Sequence, residues 1–154
     1  MKTTEKTRGF EVVSTISDPI QLPTRGSFCS AGYDICSLQQ YTIRPNQTVT
    51  IRTGIKAYMP QDEYLDLRVR SSLGIKRQLM LATCASVIDS DYYNNPDNEG
   101  EIMIVLHNFG NITRNIEPGE RIVQGIFTKY FLVDNDATTK KRTGGTGSTN
   151  KDNN

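Results

Sequence analysis

The sequence predicts an all-β fold of the sandwich or barrel-like kind. Apolar and polar residues alternate in short runs, turn signals separate the runs, and no long helical period occurs. In chain order, Thr42-Ile43 is a short strand that stops at Pro45-Asn46, where proline presets φ for a reversal. Thr48-Val49-Thr50-Ile51-Arg52-Thr53 alternates, and Ile55-Lys56-Ala57-Tyr58 follows as a further strand. Tyr64 to Arg70 alternates most cleanly, with Leu65, Leu67 and Val69 on one face and Asp66, Arg68 and Arg70 on the other. Ser71 to Lys76 is the single short helical turn. Val87-Ile88 forms a strand that delivers Asp89, Asp91 and Tyr92 where it must turn, and residues 102–106 give another apolar strand. Glu117-Pro118-Gly119-Glu120 is a turn into the strand 121–127.

A chain of 154 residues fits one domain that buries roughly two thirds of its unfolded surface. Eighteen basic residues against 17 acidic ones give no field directed at nucleic acid or at a membrane, so direct nucleic-acid binding is not expected. No apolar run approaches the ~20 residues of a spanning helix, and Met1 to Lys6 lacks a signal-peptide core; a soluble, cytoplasmic protein is expected. Cys29, Cys36 and Cys84 lack CxxC spacing and are read as buried small thiols in a reducing compartment. His107 stands alone, which excludes histidine triads and multi-histidine metal sites. The segment 134–154 has Ala137 as its only apolar residue, so it is expected to be a mobile arm attached to a β-rich core of residues 1–133.

Five fragments carry the chemistry. Ser30-Ala31-Gly32-Tyr33-Asp34-Ile35 offers a carboxylate at the start of a strand, either a cap for local amides or a ligand. Arg70-Ser71-Ser72 brings a guanidinium, two hydroxyls and the amides of a nascent helix to one spot, which is an anion site or a capped surface turn. Asp89-Ser90-Asp91-Tyr92 places a candidate general base beside an aromatic, and is otherwise a metal pair or a polar turn. In Gly119 to Gln124 most residues are core strand, and Gln124 interrupts it with a polar side chain. Arg142 to Thr149 is a glycine-rich stretch with hydroxyls, able to wrap a polyphosphate or to serve as a plain linker.

In this order, over positions 30 to 149, the fragments together resemble the homotrimeric deoxyuridine triphosphate nucleotidohydrolases (dUTPases), including types from Gram-positive bacteria and their phages. The resemblance implies a jelly-roll β-barrel with one short helix, a flexible C-terminal arm, and three sites at subunit interfaces, each closed by an arm from another subunit. It implies cleavage of dUTP to dUMP and pyrophosphate by water attack on the α-phosphorus. Asp89 then orients and deprotonates the water. Mg2+ is chelated by the phosphates, and Asp34 grips it through water. Tyr92 stacks on the deoxyribose, and a hairpin carrying Ser86 and Met103 reads uracil through backbone groups. Arg70, Ser71, Ser72 and Gln124 bind phosphates; Arg142, Ser148 and Thr149 of the arm cover the β- and γ-phosphates.

The chain also departs from the pattern. Thr146 stands where the arm normally has phenylalanine, Asn150 replaces its final glycine, and Thr83 and Ser86 replace asparagine and glycine in the hairpin. Ser86 preserves backbone recognition only with a negative φ. Residues 94–99 lengthen the loop after Tyr92. Three alternatives follow from the same resemblance. One is a nucleotide-sensing interaction protein with a protein partner, using the inserted loop and the altered arm as contact surfaces. Another is dCTP deaminase on the same fold, which ammonia release would reveal. The third is a structural trimer that has lost activity, against which the intact Asp89 speaks.

Overall fold

The computed structural model describes residues 5–145. Ser148 and Thr149, like Thr146 and Asn150, lie outside the described residues. Twelve strands follow in order: β1 (Gly9–Val12), β2 (Thr24–Arg25), β3 (Tyr33–Cys36), β4 (Tyr41–Ile43), β5 (Thr48–Arg52), β6 (Ile55–Tyr58), β7 (Glu63–Val69), β8 (Leu79–Leu81), β9 (Ser86–Asp89), β10 (Met103–Asn108), β11 (Arg114–Ile116) and β12 (Arg121–Lys129). They pair antiparallel throughout. The main sheet has five strands in the order β2-β3-β12-β7-β9, and a second has three, β5-β10-β8. Two two-stranded sheets, β1-β6 and β11-β4, complete the architecture. The fold is all-β as expected, but among the described residues the ladders form four separate sheets and not one closed barrel.

Alternation decides which side of the main sheet is buried. Leu65 and Leu67 of β7, Ile35 of β3 and Val123 of β12 are wholly inaccessible. Opposite them lie Ile51, Leu79, Leu81, Ile104 and Leu106 from the three-stranded sheet, and the inner side chains meet in one core. The outer face of the main sheet is left to Asp66 and Arg68 of β7, in register with Val87 of β9 and Gln124 of β12. Val87 is 58% exposed although it belongs to an apolar dipeptide, because its register partner Asp66 lies on the polar face.

The helical turn runs over Ser72–Lys76 as one wide π-type turn that buries only Leu73, and a single 3-10 turn spans Ser90–Tyr92. The expected buried thiols are not found: Cys29 and Cys84 are exposed and Cys36 is half-buried. Each cysteine belongs to or borders a polar segment rather than an inner strand face. His107 is structural, its Nδ1 lying 3.0 Å from Thr48 Oγ1 across the β5–β10 ladder.

Two buried carboxylates tie the sheets together. Glu101 accepts hydrogen bonds from Arg52 Nε and Nη2 and from the Gly54 amide. Glu63, 4% exposed, accepts two from Arg8, at 2.9 and 2.7 Å, which staples the segment before β1 to the start of β7. The Arg8 hydrogen bonds hold the Glu63 carboxyl below the usual glutamate value of 4.5. A carboxyl whose folded pKa is depressed contributes stability above its unfolded pKa, and that stability is lost as pH falls through the folded value. Glu63→Gln is therefore expected to lower Tm at neutral pH, and the two Tm curves should converge as pH falls well below 4.5. Parallel curves across that range in a thermal melt series would show that Glu63 carries none of the acid sensitivity.

Candidate functional site

The outer face of the main sheet gathers the predicted residues in two groups. At one end, Asp34 of β3, Gln124 of β12 and Arg68 of β7 stand side by side in register. Arg70 follows β7 directly, and its Nε lies 3.2 Å from Asp34 Oδ1. A cavity of about 270 Å³ here is lined by Gly26, Ser27, Ser30, Gly32, Asp34, Arg70, Ser71 and Gln124. Gly32 is required by space: a Cβ there would lie 2.5 Å from Gln124 Oε1 and 2.8 Å from its Cβ. Ser72 is exposed at the start of the helical turn, beside this cavity in sequence but not among its lining residues. The helix amides expected to serve an anion are partly spent, since those of Leu73 and Gly74 both donate to the Arg70 carbonyl. Donors available to a ligand here include the Arg70 guanidinium, the hydroxyls and the Gln124 amide.

Arg121 belongs to this group, and the sequence reading missed it. Strict alternation would set Arg121 opposite Gln124, three positions away. The β12–β3 register instead shifts between Arg121 and Val123, pairing Arg121 with Cys36 and Val123 with Ile35. This bulge turns Arg121 onto the Asp34 face while Ile122 and Val123, consecutive in sequence, are both wholly buried. Arg121 Nη1 then lies 3.3 Å from Asp34 Oδ2, so each oxygen of one carboxylate meets a different guanidinium. The signal was present as two adjacent buried-type residues breaking the polar/apolar period.

At the other end of the outer face stands Asp89, half-exposed and in register with Tyr64. Arg142 reaches it: Nη2 lies 2.8 Å from Asp89 Oδ2, and Nε lies 3.0 Å from Asp91 Oδ1. The guanidinium also sits 5.7 Å from the centre of the Tyr92 ring. Around Arg142 the described C-terminal residues thus lie against the Asp89 end of the chain. The paired carboxylates Asp89 and Asp91 supply the attraction. Tyr92 is buried, with its hydroxyl donating to the Glu101 carbonyl and accepting from Asn98 Nδ2. Its ring orientation is fixed from behind.

Ser86 and Met103 are not on one hairpin. Ser86 pairs with Leu67 in the main sheet, whereas Met103 pairs with Arg52 in the three-stranded sheet. The connection 82–85 crosses between sheets because Ala82 still bonds Val105 while Ser86 has joined β7. Ser86 lies outside the positive-φ residues, as backbone recognition requires; the left-handed position of this turn is Cys84, at φ 63°. The Thr83 and Ser86 hydroxyls bond each other at 2.9 Å.

The two groups are far apart on one chain. Asp89 stands opposite Tyr64, near the start of β7, and Arg70 follows its far end; at about 3.3 Å per residue the separation is roughly 20 Å. Among the described residues no three His, Cys, Asp or Glu side chains converge as metal ligands. A cation at Asp34 would take most of its oxygens from phosphates and water, which suits Mg2+ and an outer contact by a carboxylate already shared by two arginines.

A family model described as dUTPase matches residues 18–150. The deoxyuridine 5'-triphosphate nucleotidohydrolase of Lactococcus lactis subsp. lactis is 45% identical over 147 residues, covering 94% of this chain and 98% of that protein. The crystal structure of dUTPase from Streptococcus mutans superposes with a TM-score of 0.78 at 42% identity, covering 82% of this chain and 98% of that one. A mutant dUTPase from phage phi11 of S. aureus, described as revealing the coordination of a structural Mg(II) ion, shares the fold with a TM-score of 0.70 at 18% identity, over 87% of this chain and 97% of that one.

Removing Arg121 leaves Asp34 held from one side only. Arg121→Ala is expected to weaken pyrophosphate binding about three- to tenfold, a modest loss because the guanidinium is half-exposed, with Tm nearly unchanged. Arg121→Lys should recover part of it. Calorimetric titration checks this, and wild-type affinity in Arg121→Ala would remove Arg121 from the site.

Proposed function

Because the chain belongs to the dUTPase family, we propose that it hydrolyses dUTP to dUMP and pyrophosphate by attack of water on the α-phosphorus. The observation that supports this most is the division of the outer face. One end is an anion site with two arginines around a carboxylate, and the other is a solvent-facing carboxylate beside a rigid tyrosine. A general base acts only within hydrogen-bond reach of its water, about 3 Å, and the two ends lie roughly 20 Å apart. One chain therefore does not complete a site, and the reading calls for homotrimers whose sites join the Asp89 end of one copy to the Arg70 end of another. Phe131, 94% exposed, with Leu132 and Val133 beside it, supports such assembly, since an apolar run of this kind gains by burial against a second copy.

In this reading Asp89 orients the attacking water and takes its proton. Tyr92, held by Asn98 and the Glu101 carbonyl, offers a fixed ring to the deoxyribose and leaves no room for a 2′-hydroxyl. The backbone at Ser86 and Met103 reads uracil, whose O4 accepts and N3–H donates; cytosine reverses both and leaves the fixed groups unpaired. Arg70, Ser71, Ser72 and Gln124 hold the phosphates and the pyrophosphate leaving group. Asp34 would hold a phosphate-bound Mg2+ through water, and the ion would supply charge neutralisation to the phosphates. Arg142 exchanges Asp89 and Asp91 for the β- and γ-phosphates when substrate arrives, and Ser148 and Thr149 of the arm join it. A cytoplasmic location goes with this reading; no helix among the described residues is long and apolar enough to cross a membrane. The intact Asp89 favours hydrolysis over a purely nucleotide-sensing role.

With magnesium, pyrophosphate release is expected from dUTP and not from dCTP, dTTP or UTP; chelation should abolish it and added magnesium restore it. Asp89→Asn should leave nucleotide binding nearly intact and lower kcat at least ~10²-fold, the usual contribution of a general base. Near-normal turnover in that variant would remove Asp89 from the role of base, and ammonia release from dCTP would replace the reaction itself.

A further inference from the structure

The loop 94–99 is built as a support and not as a slack connection. Asn95, 5% exposed, donates from Nδ2 to the Tyr92 carbonyl, and its Oδ1 accepts from the amides of Asp97 and Asn98. Asn98 in turn donates to the Tyr92 hydroxyl at 2.8 Å and accepts from the Gly100 amide. Gly100 closes the loop at φ 83°, where a Cβ would lie 2.5 Å from the Tyr92 carbonyl oxygen, so only glycine fits. At the base, buried Lys56 donates to Asn94 Oδ1 at 2.6 Å, and Glu99 accepts from both the amide and the hydroxyl of Ser14.

What this support presents is Asp97. Its Oδ2 accepts a 2.7 Å hydrogen bond from the Gly145 amide, and Gly144 and Gly145 are both buried. Arg142, three residues earlier, is 13% exposed between Asp89 and Asp91 and donates to the Gly145 carbonyl. The arm is therefore gripped at Arg142 by the carboxylates of the Asp89 turn and at Gly145 by the inserted loop.

We propose that Asp97 is a positioning residue that docks the C-terminal arm. The inserted loop pins the Gly145 backbone, so that Arg142 can move between Asp89 and a substrate phosphate without release of the whole arm. The loop rests on Tyr92 through Asn95 and Asn98, so the dock and the ring assigned to the sugar share one hydrogen-bonded frame. A neutral acceptor at 97 weakens the dock and an apolar residue removes it, whereas an added methyl at 145 leaves it in place. A Cβ at Gly145 meets nothing closer than 3.5 Å.

The test is limited trypsin digestion of the full chain without nucleotide, following cleavage in the Lys140-Lys141-Arg142 run. Such cleavage tracks the population of the open arm. Asp97→Ala is expected to be cut about tenfold faster than wild type, Asp97→Asn to fall between, and Gly145→Ala to match wild type, all with similar Tm. Wild-type cleavage of Asp97→Ala overturns the docking. The inference rests on the dUTP-hydrolysing reading for its kinetic consequence alone, a raised KM for dUTP in Asp97→Ala that Asp97→Asn partly recovers. Faster cleavage with unchanged KM keeps the dock and overturns only its link to the site.

Discussion

The length of β7 governs how this protein works. Its outward side chains and its neighbours in register line up two kinds of chemistry on one polar face, guanidinium around a carboxylate at one end and open carboxylates at the other. Seven strand residues hold these ends too far apart to meet on a single phosphate. The same strand has an inner face of Leu65 and Leu67 that is wholly buried, so the spacing is as rigid as the core beneath it. On the proposed reading, assembly supplies what this rigid spacing withholds from a single chain.

Within each end, opposite charges are shared and not simply paired. Asp34 divides its two oxygens between Arg70 and Arg121, and Arg142 divides its nitrogens between Asp89 and Asp91. Half-exposed pairs of this kind contribute little to stability. Their value lies in orientation: a planar guanidinium with one edge already committed presents its other edge in a known direction. On the proposed reading, a triphosphate would meet groups that are aimed before it arrives.

The strands and their faces were legible because burial enforces a period of two, and the 64–70 run reads directly as Leu65, Leu67 and Val69 inside with Asp66, Arg68 and Arg70 outside. Asp34, Arg70, Ser71 and Gln124 were legible for a different reason: their order along the chain matches a known pattern, although nothing local brings β3 beside β12. Arg121 escaped because a bulge reverses its face, and a bulge leaves only a doubled apolar pair, Ile122-Val123, in the sequence. Met103 and Ser86 were wrongly joined because the chain between them changes sheets, and pairing partners across sheets leave no periodic trace. The cysteines were misread from composition, which describes an average thiol and not the turns in which Cys29 and Cys84 lie.

The bare run Phe131-Leu132-Val133 has a thermodynamic consequence. If its burial belongs to the assembled state, part of the folding free energy is released only when chains meet, and mass action enters the stability of each one. Dilution then acts on this protein as a mild denaturant. A melting temperature measured at one protein concentration describes that concentration, and the lone chain is the form most exposed to aggregation along its own apolar strip.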